Sequence, residues 1–216
     1  MNTTVYIIRH GEVKYPRDLE GKRLVYGPTA ELSDEGRKQL GELGQKLSSE
    51  RVRLAKIFTS PYPRAVESAR ILSSQLKGPE PIIVEDLKDL LAPGYEGTSY
   101  DDLISIEGNT YAHPLTDDQE TLAQLSTRVV RAFTDIVSEN DGKTIAIVSH
   151  GDGIRLLLQR LKLPNADLPD PATMRDELYL EKGGACKLVL DPSLRLLEME
   201  KVSIERDSFN NSERKF

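Results

Sequence analysis

Two apolar runs far apart in the sequence stop at the same dipeptide, Ile8-Arg9-His10-Gly11 and Val148-Ser149-His150-Gly151. A single histidine at a strand end reads as readily as a satisfied structural side chain as a reactive one. Two with identical placement point to a site. Ligands of open α/β sheets gather beyond the carboxyl ends of the strands, so if these strands are parallel neighbours, both imidazoles meet in one crevice. Neutral imidazole near pH 7 is a nucleophile. Glycine after each histidine lets the backbone turn sharply and brings amide N–H groups close to an anion, where a side chain would obstruct.

Arginine suggests which anion. Arg9 precedes the first histidine, and Arg64 stands in Thr59-Ser60-Pro61-Tyr62-Pro63-Arg64-Ala65, where a helix opens. Taken alone, Arg64 is a solvated helix-end arginine. A cation is unfavourable at a helix N-terminus, however, which makes a counter-anion there attractive. Guanidinium forks fit phosphate oxygens bidentately and stay charged at every relevant pH. The chain has 216 residues, a formal charge of −6 and no lysine/arginine block. With pI about 5.3 it lacks the electrostatic footprint of a nucleic-acid or anionic-membrane binder, so phosphate would be bound locally. Cys186 is the only cysteine, and His10, His113 and His150 are the only histidines. A disulfide framework and a cysteine-rich or histidine-rich metal site are not expected, and a reducing cytosol is. The opening residues carry neither a basic region nor a long apolar run, so no signal peptide or membrane span is expected.

The elements that must hold these residues follow from periodicity. Val5-Tyr6-Ile7-Ile8 is a short continuous apolar run that suits a strand buried on both faces, and Lys56-Ile57-Phe58-Thr59, Pro81-Ile82-Ile83-Val84 and Thr144-Ile145-Ala146-Ile147-Val148 read as further strands. Helical spacing links Leu40, Leu43 and Leu47 after a Ser33 cap, then Ala65, Ala69, Leu72 and Leu76. Another stripe, Leu122, Leu125, Val129, Phe133 and Ile136, predicts a helix from about Gln119 to Ser138, and a further helix begins near Ile154. Lys187 to Leu190 and Leu194 to Met199 could close a hairpin across Asp191-Pro192. The alternation predicts a three-layer α/β/α sandwich with a mostly parallel central sheet. Residues 1–204 would form one domain, 88–118 a loop-rich cap over the site, and 205–216 a polar tail. Nothing in the pattern fixes an oligomeric state.

Arg9-His10-Gly11-Glu12 after a strand, Ser60-x-x-x-Arg64-Ala65 opening a helix, and Ser149-His150-Gly151 late in the chain together resemble the histidine phosphatase superfamily in its phosphoglycerate-mutase-like branch. The resemblance covers about Thr4 to Arg155, and Leu32-Ser33-x-x-Gly36 is similar to that family's pattern before its first helix. It implies that His10 is the nucleophile and forms a phosphohistidine, while Arg9, Arg64 and His150 hold the phosphoryl oxygens. On physical grounds these cations, a protonated His150 and the Gly11 amide, with Gly151 beside them, would suffice without metal or other cofactor.

The family's proton donor is a glutamate seven residues before a Glu-Gly pair. Aligning on Glu96-Gly97 places Asp89 there, one methylene shorter, with Glu85 and Asp86 as alternatives. Val13 and Pro16 stand where many members carry polar phosphate contacts. Glu12, Lys14, Tyr15, Tyr26 and Tyr95 are candidates for the mouth. The function expected is a metal-independent phosphomonoesterase acting on a small soluble phosphate ester, with inorganic phosphate as product. The alternatives are a phosphoglycerate-mutase-type phosphotransferase and a noncatalytic phospholigand-binding module.

Overall fold

A computed structural model describes residues 1–100, 102, 111, 116–170, 173–202 and 204. The expected polar tail at 205–216 and residues 101, 103–110 and 112–115 of the expected cap, His113 among them, lie outside the described residues. Strands β1 (Thr3–Arg9), β2 (Lys56–Thr59), β3 (Pro81–Ile83) and β4 (Thr144–Ser149) run parallel in the order β3-β2-β4-β1. The hairpin β5 (Ala185–Leu190) and β6 (Leu196–Val202) joins the far edge of β1 antiparallel. Helices α1 (Asp34–Ser49) and α2 (Pro63–Leu76) cover one face, and α3 (Leu122–Ser138) and α4 (Gly151–Lys162) the other.

The doubly apolar strands explain this layering. In β1, Val5 and Ile7 enter the core beneath α3 and α4, while Tyr6 and Ile8 enter the one beneath α1 and α2. In β4, Ile145 and Ile147 face the first core and Ala146 and Val148 the second. A period of two with apolar side chains on both faces fills both layers at once. Among the described residues, no helix is long and apolar enough to cross a membrane.

Local chemistry sets the element ends that matter for the site. Ser33 Oγ accepts the Gly36 N–H at 3.1 Å and starts α1, as its place in the sequence predicts. The third helix begins three residues later than the stripe suggested, because Thr121 and Gln124 form a reciprocal capping box. A Cβ on Gly11 would lie 2.5 Å from the Gly36 carbonyl oxygen, and a Cβ on Gly36 would collide with the Glu12 carbonyl. This glycine pair lets the start of α1 press against the turn that follows His10. Val13, expected as a missing phosphate contact, is 3% exposed and bridges to Leu32. It packs the same junction.

The described part of the excursion is tied to the loop after β1. Val25 donates to the Thr98 carbonyl at 2.8 Å and Gly97 to the Val25 carbonyl at 2.9 Å. This pairing brings the Tyr26-Gly27-Pro28 backbone toward the start of α2.

Candidate active site

The parallel register sets Arg9 opposite Ser149, so His10 and His150 leave adjacent strands at the same level. Their rings lie 5.1 Å apart at 60°, and exposure is 1% for His10 and 0% for His150. The His10 backbone is held on both sides, its N–H donating to the Ser149 carbonyl at 3.1 Å and its carbonyl accepting from Gly183 at 2.9 Å. His10 Nδ1 lies 2.7 Å from the Gly11 carbonyl oxygen. A carbonyl only accepts, so Nδ1 carries the proton and Nε2 keeps its lone pair. Burial first, then His150, Arg64 and Arg9, hold His10 well below the usual imidazole range.

His150 is the N-cap residue of α4 in extended backbone. Its Nε2 lies 2.8 Å from Ser60 Oγ and its Nδ1 3.4 Å from Asp89 Oδ2. Burial and the guanidinium groups of Arg64, Arg9 and Arg128 push its pKa well down. The expectation of a protonated His150 is therefore corrected for the free site: desolvation and nearby cations both penalise the imidazolium.

Arg64 is the second residue of α2 and 2% exposed. Its guanidinium carbon sits 5.1 Å from the Tyr26 ring centre and 4.8 Å from that of Tyr62. Nη1 donates to the Gly27 and Pro28 carbonyls at 3.3 Å each, and Nη2 to Asp89 Oδ2 at 3.0 Å. Arg9 lies over the Tyr179 ring at 4.8 Å, with Nη1 donating to the Leu180 carbonyl at 2.8 Å. Among the described residues, the buried side-chain nitrogens without a hydrogen-bond partner are Arg9 Nε, Arg64 Nε, His150 Nδ1 and Arg155 Nε. The first three belong to this one site. An unpaired buried polar group costs about 1–3 kcal/mol, more if charged, so the two guanidinium nitrogens are a standing demand for acceptor oxygens.

Of the three candidate acids, the structure brings Asp89 to the histidines. His10, Asp89 and His150 each present an atom within 4.8 Å of the others. Asp89 Oδ1 accepts its neighbour's N–H, from Leu90, at 3.1 Å. Glu85 and Asp86 lie in the preceding 3₁₀ turn, Glu85–Leu87. Their carboxylates pair on the surface, Glu85 with Lys88 at 2.5 Å and Asp86 with Arg131 at 2.7 Å. The same His10, Asp89 and His150 atoms could offer ligands to a metal. Zinc, bound at about 2.0–2.2 Å from each ligand, would have to draw them inward, with Arg64 already on the carboxylate.

The glycines act differently from each other. The Gly11 N–H donates to Ser68 Oγ at 3.2 Å, which corrects the expectation that this amide faces the anion: the hydroxyl on α2 takes it. At Gly151, a Cβ would lie 2.5 Å from Tyr179 Oη and 3.0 Å from Arg9 Cζ. Its bare backbone is what lets Arg9 lie where it does. Around the mouth, the Tyr15 and Tyr26 rings meet at 5.4 Å, and Lys182 Nζ lies 4.4 Å and 5.6 Å from their centres. Lys182 also pairs with Glu12 at 2.9 Å, and burial pushes its pKa down to about 8. Lys14 instead pairs with Glu31 on the surface, and Tyr95 is buried.

Sequence reasoning left Ser60, Tyr62 and Tyr179 without a role and missed Lys182. The serine sits in the Ser60-x-x-x-Arg64 spacing, which was signal enough. Lys182 meets Glu12 across 170 residues, and no local pattern announces that.

A model of the histidine phosphatase superfamily (branch 1) matches residues 5–176. A "Probable phosphatase" of Schizosaccharomyces pombe is 30% identical over 189 residues, 78% of this chain and 82% of that one. A "Metal-independent phosphoserine phosphatase" of Arabidopsis thaliana is 24% identical over 193 residues, 82% of this chain and 79% of that one. Among solved structures, a mutant phosphoserine phosphatase of Entamoeba histolytica in complex with phosphoserine shares the fold. Its TM-score is 0.67 at 23% identity, over 92% of this chain and 96% of that one.

Proposed function

The chain belongs to branch 1 of the histidine phosphatase superfamily, and on that premise we propose that it hydrolyses small phosphate monoesters through a phosphohistidine on His10. The observation that carries this reading is the pair of unpaired buried guanidinium donors, Arg9 Nε and Arg64 Nε, with the unpaired His150 Nδ1, beside a neutral His10 with its lone pair on Nε2. Nucleophile and anion holders stand together. Relatives named for phosphoserine support a small alkyl phosphate as the substrate class.

His10 Nε2 attacks phosphorus; the N–P bond forms as the ester P–O bond breaks. Asp89, in its protonated form, gives its proton to the departing alkoxide. Arg9, Arg64 and His150 hold the equatorial oxygens, where charge spreads in the transition state. A dianion between the guanidinium groups also favours the imidazolium of His150, which the free site disfavours. Water then attacks phosphorus while the Asp89 carboxylate takes its proton. The N–P bond breaks and orthophosphate leaves, with His10 and protonated Asp89 restored. The scheme needs no metal or other cofactor, and the single buried cysteine suits a reducing cytosol.

The test is hydrolysis of p-nitrophenyl phosphate with and without EDTA, with quench-trapping of the phosphoenzyme. Activity should survive chelation, and the label should be acid-labile, alkali-stable and absent from His10→Ala. Activity lost on chelation and restored by a divalent ion, or label on another residue, overturns the reading.

A further inference from the structure

Asp89 is held by an arginine that never touches the histidines. Arg128, on α3, places its Nη1 2.9 Å from the Asp86 carbonyl oxygen and 3.1 Å from that of Lys88. Its Nη2 donates to the Asp89 carbonyl at 3.2 Å. The rest of the fork is taken by Glu120, with Nε to Oε1 at 2.8 Å and Nη2 to Oε2 at 2.6 Å. Glu120 also ties the segment directly: its N–H donates to the Leu91 carbonyl at 2.8 Å, and its Oε2 accepts from the Leu91 N–H at 3.4 Å. Both side chains are largely buried, at 17% and 8% exposure.

We propose that Arg128, locked by Glu120, is the positioning residue that sets the reach of Asp89 toward the leaving group. An aspartate in place of a longer acid leaves little slack, and general-acid transfer demands hydrogen-bond distance to the proton acceptor. A planar, five-donor fork can bind three carbonyls and a carboxylate at once, which an ammonium cannot. Arg131, one turn on along α3, contacts the same segment only through its exposed pair with Asp86. It serves as the control.

The proposal rests on the phosphatase reading for its kinetic arm and on structure alone for its second arm. For kinetics, turnover of an alkyl phosphate is compared with that of an aryl phosphate whose leaving group needs no acid. Arg128→Lys should lower the alkyl-to-aryl kcat ratio about 10- to 100-fold, part of the full general-acid contribution, with little change in KM. Arg131→Ala should leave the ratio unchanged. In an Asp89→Asn background, Arg128→Lys should add nothing further, as expected for two residues acting through one function.

Arg128→Ala alone leaves Glu120 buried without its partner and invites unfolding. The double variant Arg128→Met/Glu120→Gln removes both charges and is measured in parallel. The second arm is amide hydrogen exchange over residues 86–91, which should accelerate at least about tenfold in both variants while the β4 amides keep their protection. Equal loss on alkyl and aryl substrates, additivity with Asp89→Asn, or unchanged exchange over this segment overturns the positioning role. A wild-type protein inactive on both esters would sink the phosphatase reading, and the exchange arm would still decide the clamp.

Discussion

Asp89 rests against Arg64, Oδ2 to Nη2 at 3.0 Å, and in the same position lies 3.4 Å from His150 Nδ1. The carboxylate thus occupies groups that the mechanism assigns to phosphoryl oxygens. An arriving dianion competes with Asp89 for Arg64, so phosphate binding and the placement of the carboxylate are linked through one guanidinium.

Replacement of Asp89 separates leaving groups. Asp89→Asn should slow the phosphoryl-transfer burst with an alkyl phosphate by about 10²- to 10⁴-fold, and with an activated aryl phosphate far less. Equal loss of both burst rates by rapid quench would assign Asp89 to structure. Steady-state kcat alone does not suffice, because the second step also uses the carboxylate.

Stability should fall as the pH drops below the ordinary histidine range. His10 and His150 are both held below their ordinary 6.5 in the folded chain. At pH above 6.5 neither state binds the proton and the folded form keeps its full advantage. Below it the unfolded imidazoles protonate and the buried ones do not, so each removes about 1.4 kcal/mol of stability per pH unit. Urea melts between about pH 7 and 5.5 read the slope. His10→Ala should remove part of it; a flat profile in the wild type would contradict the burial of both rings.

Gly151→Ala tests the close approach to Arg9. The new methyl must displace Tyr179 Oη, which lies 2.5 Å from its position, and through that ring the guanidinium above it. KM and the inhibition constant of inorganic phosphate should rise about tenfold, the equivalent of about 1.4 kcal/mol. A thermal midpoint that collapses with no change in phosphate affinity would place Gly151 in packing alone.

Two glycines of α1 should respond with opposite signs. Nothing lies within 4 Å of a Cβ on Gly41, so Gly41→Ala should stabilise by about 0.5–1 kcal/mol through helix propensity and the unfolded state. Gly36→Ala drives a methyl into the Glu12 carbonyl and should cost about 1–3 kcal/mol. Denaturant midpoints of the two variants check the contrast.

The sequence disclosed the two histidines because each ends a continuous apolar run, a signal local in the chain and strong in period. Ser33 and the opening of α1 were legible for the same reason. Asp89 was reachable only through the family resemblance, by alignment on Glu96-Gly97, and its nearness to the histidines, in contrast to Glu85 and Asp86, shows only in the folded chain, where the 3₁₀ turn holds those two apart. Arg128 was invisible: on a helix with one apolar stripe, an arginine off that stripe reads as solvated. The charge of His150 was misjudged because the cations around it were counted as ligands without their repulsion of one another.

The strand that ends in His10 has the widest consequence for how the molecule comes into being. Thr4 pairs with Thr144 on one side of β1, and Ile8 with Ala185 on the other. Both neighbours lie far downstream of it in the chain, so it waits as an unpaired apolar strand while the intervening residues are made. Loop closure over such separations slows folding. The site and the sheet therefore arise in the same late step, and a nascent chain that stops before β4 carries Arg9, His10 and Arg64 without the pairing that brings His150 beside them.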